Sequence, residues 1–138
     1  MPHLDPQALL AARARALHDR DPAAFLATCD PDALIFDLAP PLAHGLDAQG
    51  VAAWMASWDG PIGSETHDLR IELSGPLALV TCLERLHGSQ GGEPRDIWLR
   101  LTLSLRQGPD GWRITHEHVS VPVRKQEGRL IGATDLRP

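Results

Sequence analysis

Two imidazoles stand two residues apart in the run Trp112-Arg113-Ile114-Thr115-His116-Glu117-His118-Val119-Ser120. A carboxylate, Asp37, closes the short apolar stretch Ala33-Leu34-Ile35-Phe36. Side chains alternate along a strand, so a period of two sets Trp112, Ile114, His116, His118 and Ser120 on one face. Such groups are the equipment of acid/base chemistry, with Asp37 as proton acceptor and His116 or His118 as relay. Arg100, on the preceding strand, would hold an anionic oxygen. Each also has a structural reading: Asp37 as a cap on the turn into Pro40-Pro41, the histidines as hydrogen-bonded core residues, Arg100 as a partner of Glu84 or Asp96. His-x-His with Asp37 has donors for a metal, but no further Glu or His follows at a suitable spacing. The expectation is no metal and no cofactor.

The elements that must position these groups follow from punctuation and period. Asp5-Pro6 and Asp21-Pro22 are helix starts, with Asp as N-cap and Pro in the first turn. The first helix carries Leu9, Leu10, Ala14 and Leu17; the second runs through Phe25 and Leu26 to Cys29, where Asp30-Pro31 stops it. A short strand over 33–37 and a third helix from Asp47 to Trp58 come next, the latter with Val51, Trp54, Met55 and Trp58 on one face. The rest reads as β-structure: a strand on which Glu65, His67, Leu69, Ile71 and Leu73 share a face, then long strands over 77–87 and 95–106 joined by a Gly-rich, mobile loop over 88–94.

Setting Arg106 opposite Trp112 pairs Ser104 with Ile114, Thr102 with His116, Arg100 with His118 and Trp98 with Ser120. The other face of that strand is Ile97, Leu99, Leu101, Leu103 and Leu105. The mixed face is therefore expected to line a pocket under the helices. The leucine face is expected to form a homodimer contact on the outer side of the sheet. Trp54, Trp58, Trp98, Thr102, Ser120 and His67 are the expected ligand-binding residues around a small organic molecule.

Helices followed by hairpin-connected strands make an α+β domain, a single unit over 1–138 with its core at about 9–122 and a surface arm at 123–138. A net charge of −5 and scattered basic residues argue against nucleic acid and against a membrane surface. No apolar run is long enough to span a bilayer. Cys29 and Cys82 belong to no CxxC pair and read as reduced thiols, so the expected compartment is the cytoplasm.

Gly45 ahead of a Trp-bearing helix, the strand ending Phe36-Asp37, and the closing Asp-Gly-Trp-Arg-Ile-Thr-His-Glu-His-Val-Ser together resemble the nuclear transport factor 2-like superfamily. The nearest branch is the SnoaL-like, ketosteroid isomerase-related group. The resemblance covers roughly Leu9 to Pro122. It implies a cone-like, cystatin-like curved antiparallel sheet wrapped around N-terminal helices, and an isomerase, cyclase or hydratase type of reaction on a carbonyl-bearing ligand. A non-catalytic ligand-binding or dimerisation module of the same fold is the alternative. Asp37 matches the place of the isomerases' general base. The tyrosine that donates to the oxyanion in those enzymes has no counterpart, because the chain contains no tyrosine. Steroid isomerisation itself is thereby disfavoured.

Overall fold

The computed structural model describes residues 5–138. Three helices open the chain: α1 (Pro6–His18), α2 (Pro22–Leu26) and α3 (Ala48–Ala56). Each is started by an aspartate whose carboxylate accepts a backbone N–H of the first turn. Asp5 takes that of Ala8 at 2.7 Å, Asp21 that of Ala24 at 3.0 Å and Asp47 that of Gly50 at 2.9 Å. Such a cap is worth about 1 kcal/mol, which matters most for helices this short. The second helix ends at Leu26, earlier than its sequence suggested. Cys29 already belongs to a strand that runs through Asp30-Pro31.

Five strands form one curved, open sheet: β1 (Cys29–Phe36), β2 (Gly63–Ser74), β3 (Leu77–Gln90), β4 (Glu93–Gly108) and β5 (Gly111–Ser120), in the spatial order β1-β5-β4-β3-β2. The sheet is antiparallel except where β1 lies parallel to β5. The Gly-rich segment expected to be a mobile loop is a tight hairpin instead. Pairing continues to Gln90↔Glu93, and Gly91 and Gly92 turn the chain at φ +60° and +80°. Asp59 clamps that turn, accepting from Ser89 Oγ at 2.7 Å and from the Gly92 N–H at 2.8 Å. The arm beyond Pro122 also contains pairing, between β6 (Val123–Gln126) and β7 (Arg129–Gly132).

All three helices pack on the leucine side of the sheet. Leu9 of α1 sits with Ala78, Val80, Leu101, Leu103, Leu105, Trp112 and Ile114, while Leu17, Met55 and Trp58 meet Leu86 and Leu99. The faces are thus exchanged relative to the sequence expectation. The leucine row is the core under the helices, and Leu99, Leu101 and Leu103 are buried there, not at an outer contact. A pure leucine row beneath apolar helix stripes removes the most hydrocarbon from water, which is why it takes the inner side.

Two bulges explain the remaining differences. The β4–β5 turn is tighter than expected, with Gly108 opposite Gly111 and Gln107 opposite Trp112, which moves Trp112 and Ile114 to the inner face. Thr115 is then an extra residue between the Leu105↔Ile114 and Ser104↔His116 pairs, its hydroxyl held 2.8 Å from Ser104 Oγ. Beyond it the pairs are Thr102↔His118 and Arg100↔Ser120. The bulge therefore puts Trp112 and His116 on opposite faces and turns Glu117 inward. A second irregularity lies between His67 and Arg70, with Asp68 at φ +53°. It separates His67, on the outer face, from Ile71 and Leu73 on the inner one.

Candidate functional site

Leu9, Arg13 and Leu17 follow one another at four-residue intervals and so share a face of α1. The middle one is an arginine. It is carried under the helix with its neighbours and is only 9% exposed. On β3, Cys82, Glu84 and Leu86 alternate inward, placing a carboxylate at 1% exposure in the core layer. Glu117, turned inward by the Thr115 bulge, approaches from β5. Three separate elements thus deliver one cation and two anions to a single point on the concave side.

The contacts are close. Arg13 Nη1 donates to both carboxylate oxygens of Glu84 at 3.1 Å, and Nη2 donates to Glu117 Oε1 at 2.7 Å. Ser64 on β2 adds a hydroxyl donor to Glu84 Oε1 at 3.3 Å. The Phe25 ring of α2 covers the guanidinium, with 5.3 Å from its central carbon to the ring centroid. Arg13 Nε is buried and has no hydrogen-bond partner among the described residues. Glu117 Oε2 likewise makes no hydrogen bond among them, and the Glu117 side chain is 15% exposed, against 2% for Glu84.

Burial alone would favour loss of the Arg13 charge. Attraction to Glu84 and Glu117, with their hydrogen bonds, outweighs it and holds the guanidinium well above its ordinary range. The two thiols flank the cluster in their neutral form. Burial, then the charge of Glu84, pushes Cys82 up to about 11. Cys29 is raised chiefly by burial, partly offset by its contact with the Thr28 hydroxyl. Neither is a thiolate at neutral pH, so neither is a ready nucleophile.

The residues singled out by sequence lie elsewhere. Trp98, Arg100, Thr102, His116, His118 and Ser120 do share one side of the sheet, but it is the outer side, away from the helices. There Phe36 sets its edge against the His116 and His118 rings at 4.7 and 5.3 Å, and His67 lies over Trp98 at 4.6 Å. His116 Nδ1 donates to the Leu34 carbonyl at 2.7 Å, and Arg100 Nε donates to Ser120 Oγ at 3.1 Å. The carboxylates suggested for Arg100 are engaged by other arginines, Glu84 by Arg13 and Asp96 by Arg85. Asp37 is exposed, and its carboxylate accepts the N–H of Leu38 at 2.7 Å; it caps its own turn and touches neither imidazole. Trp58 is buried beneath α3, with Trp54 edge-on to it at 5.9 Å and partly exposed.

Arg13, Glu84 and Glu117 were missed as a group, although a signal was present. Arg13 and Glu84 are charged residues standing at apolar phase, one in a helical stripe and one in a strand alternation. Glu117 gave none, because its face depends on a bulge. A recess of about 190 Å³ opens between the α1–α2 turn and α3, lined by Arg20, Pro22, Ala52 and Met55. It is not lined by the three charged residues. Among the described residues, no group of His, Cys, Asp and Glu is arranged to hold a metal ion. No helix is long and apolar enough to cross a membrane.

Comparison with known proteins agrees with this architecture. Residues 7–124 match the family model of the SnoaL-like domain. A nuclear transport factor 2-like protein of unknown function from Pseudomonas putida superposes with a TM-score of 0.78 at 26% identity, over 96% of this chain and 93% of that one. A candidate dehydratase of the same superfamily from Streptomyces avermitilis gives 0.73 at 22% identity, over 83% and 91% of the two chains. A candidate ketosteroid isomerase from Shewanella frigidimarina gives 0.68 at 20%, over 81% and 91%. No protein of curated function matches the sequence significantly. The chain belongs to the SnoaL-like domain family, within the nuclear transport factor 2-like superfamily.

Proposed function

We propose that this protein binds a small carbonyl-bearing organic molecule on the concave side of its sheet and acts on it by acid/base chemistry. The observation that carries this reading is Glu117, a carboxylate with one oxygen tied to a buried arginine and the other free of partners among the described residues. Glu117 Oε2 would take a proton from the carbon next to the carbonyl. The oxygen that gains the negative charge would accept from Arg13 Nε–H, a buried donor without a partner among the described residues. Where the ligand carries a carbon–carbon double bond beside that carbon, the electron pair spreads through it as a dienolate, and return of the proton to the far carbon moves the double bond and completes an isomerisation. Glu84 orients Arg13 and does not touch the ligand. Apolar neighbours such as Phe25 and Val119 supply the walls.

The test needs no knowledge of the natural substrate. Exchange of the α-protons of cyclohexanone in D₂O, followed by proton NMR, reads the proposed proton transfer directly. Catalysed exchange that is lost in Glu117→Gln and kept in Asp37→Asn supports the reading; exchange that is insensitive to Glu117 refutes it. Binding without exchange would favour the non-catalytic module. That alternative is supported by the fact that both terminal nitrogens of Arg13 are already engaged by carboxylates.

For the assembly, we infer a homodimer through the outer face of the sheet, in the form the structure allows. The contact would be made by Trp98, Phe36, His116 and His118, with Leu34 and Leu79, and not by the leucines of β4. These aromatic groups and the 45% exposed Leu34 lie on the side that the helices leave uncovered. A second copy of the same face would cover them symmetrically.

A further inference from the structure

An arginine in a binding site ordinarily selects carboxylates and phosphates, because its paired N–H groups match two oxygens at once. Arg13 is not free to do this. Its Nη1 spans both oxygens of Glu84, its Nη2 holds Glu117, and one face of the guanidinium is covered by Phe25. Nε is the one nitrogen left without a partner, and it presents a single N–H.

The charge balance points the same way. One guanidinium faces two carboxylates, a surplus of one negative charge in a region largely closed to water. An anionic ligand would add a second, and repulsion is strong where the dielectric is low. A neutral ligand with one acceptor oxygen adds no charge and satisfies the Nε donor.

We propose that Glu84 is a specificity-determining residue that occupies Arg13 internally, so that the site admits neutral carbonyl compounds and excludes carboxylates and other anions. This inference rests on the ligand site proposed above and adds the charge class of what enters it. Glu84 is well suited to the part. Fixed on β3 at 2% side-chain exposure and held by Ser64 as well as Arg13, it cannot swing aside to release the guanidinium. Glu117 is the more exposed of the two and is bonded through one oxygen only.

The experiment compares two probes of equal ring size, cyclohexanone and cyclohexanecarboxylate, titrated by NMR into the wild-type chain and into Glu84→Gln. The amide keeps the shape of Glu84, removes one negative charge and weakens its hold on Arg13. The expected result is wild-type binding of the ketone at least about tenfold tighter than the acid, with the ratio moving toward the acid by about tenfold or more in Glu84→Gln. Should Glu84→Gln fail to fold, Glu117→Gln also removes a negative charge from Arg13 and is expected to shift the ratio the same way. Equal or tighter binding of the acid by wild type would overturn the inference while leaving the ligand site standing. An unchanged ratio in a folded variant would overturn it too. Failure of both probes to bind either protein would remove the site itself, and the inference with it.

Discussion

Arg13 and Glu84 are separated by 71 residues of chain, yet one nitrogen of the arginine stands 3.1 Å from both oxygens of the glutamate. Helix α1 is thereby tied to the middle of the sheet by charge as well as by hydrocarbon. Such a pair is costly to bury and more costly to break, since either half left alone is an uncompensated charge. Arg13→Met is expected to lower stability by about 3–5 kcal/mol, because it strands two carboxylates. Glu117→Gln leaves the Arg13–Glu84 pair intact and is expected to cost about 1 kcal/mol or less. Urea denaturation of the two variants beside wild type measures the difference.

Asp37 is the counterexample to reading function from position alone. Its place at the end of the first strand matches the general base of the isomerases that the chain resembles, but the carboxylate is turned to its own loop. Asp37→Asn keeps an acceptor for the Leu38 N–H. The melting temperature is expected to stay within about a degree or two of wild type, and the proton-exchange activity to persist. A calorimetric scan and the exchange assay together decide it.

The sheet was legible because turns and alternation survive in the sequence: β2, β3, β4 and β5 all lie close to where Gly, Pro and period two place them. The side of the sheet that faces the helices was not. Alternation says which residues share a face, but choosing the inner face requires weighing the leucine row against the aromatic row, and Trp with His looked like a pocket. The Thr115 bulge was invisible for a different reason. One extra residue in a strand leaves no mark of its own, yet it decides whether Glu117 or its histidine neighbours reach the core. Arg13 was hidden because an apolar stripe is read by its leucines, and the charged residue within it is easily assigned to solvent.

Removing that extra residue is accordingly a sharp test of the fold account. Deletion of Thr115 restores regular alternation along β5 and keeps Trp112 and Ile114 on the same inner face as Glu117 and Val119, because Ile114 and His116 then follow one another opposite Leu105 and Ser104. The deleted chain is expected to fold with Trp112 and Glu117 still on the inner side; a chain left molten by the deletion would contradict a bulge of one extra residue. Thr115→Val keeps the residue count, loses the hydroxyl contacts to Ser104, and should remain folded with a loss of about 1 kcal/mol. Near-ultraviolet circular dichroism reads the aromatic packing in both variants, and a native signal is expected in each.

Asp59 and Cys82 are among the groups that link stability to pH. Asp59, which clamps the β3–β4 turn, is held below its usual range by hydrogen bonds from Ser89 and Gly92, so it favours the folded state when ionised. That contribution is complete above the unfolded carboxylate value, near pH 4, and disappears as pH falls through the lower folded value. Cys82 is pushed up to about 11 by burial, so its neutral thiol suits the fold. Its stabilising effect is complete below the unfolded thiol value, near pH 8.5, and is lost as pH rises toward the folded one. Thermal scans from pH 3 to 11 are expected to show both shoulders, with the alkaline one reduced in Cys82→Ala.

Placement of the working group beneath the helices, and not on the histidine face, is tested most directly by two side-chain resonances. Arg13 Nε–H and Trp98 Nε1–H are both buried without a hydrogen-bond partner among the described residues, one on each side of the sheet. Titration of cyclohexanone into ¹⁵N-labelled protein, followed by heteronuclear NMR, reports on each separately. Saturable movement of the Arg13 Nε–H signal, with the backbone amides of Cys29, Glu84 and Glu117, is the expected result. Movement confined to Trp98 Nε1–H and the amides of His116 and His118 would contradict it.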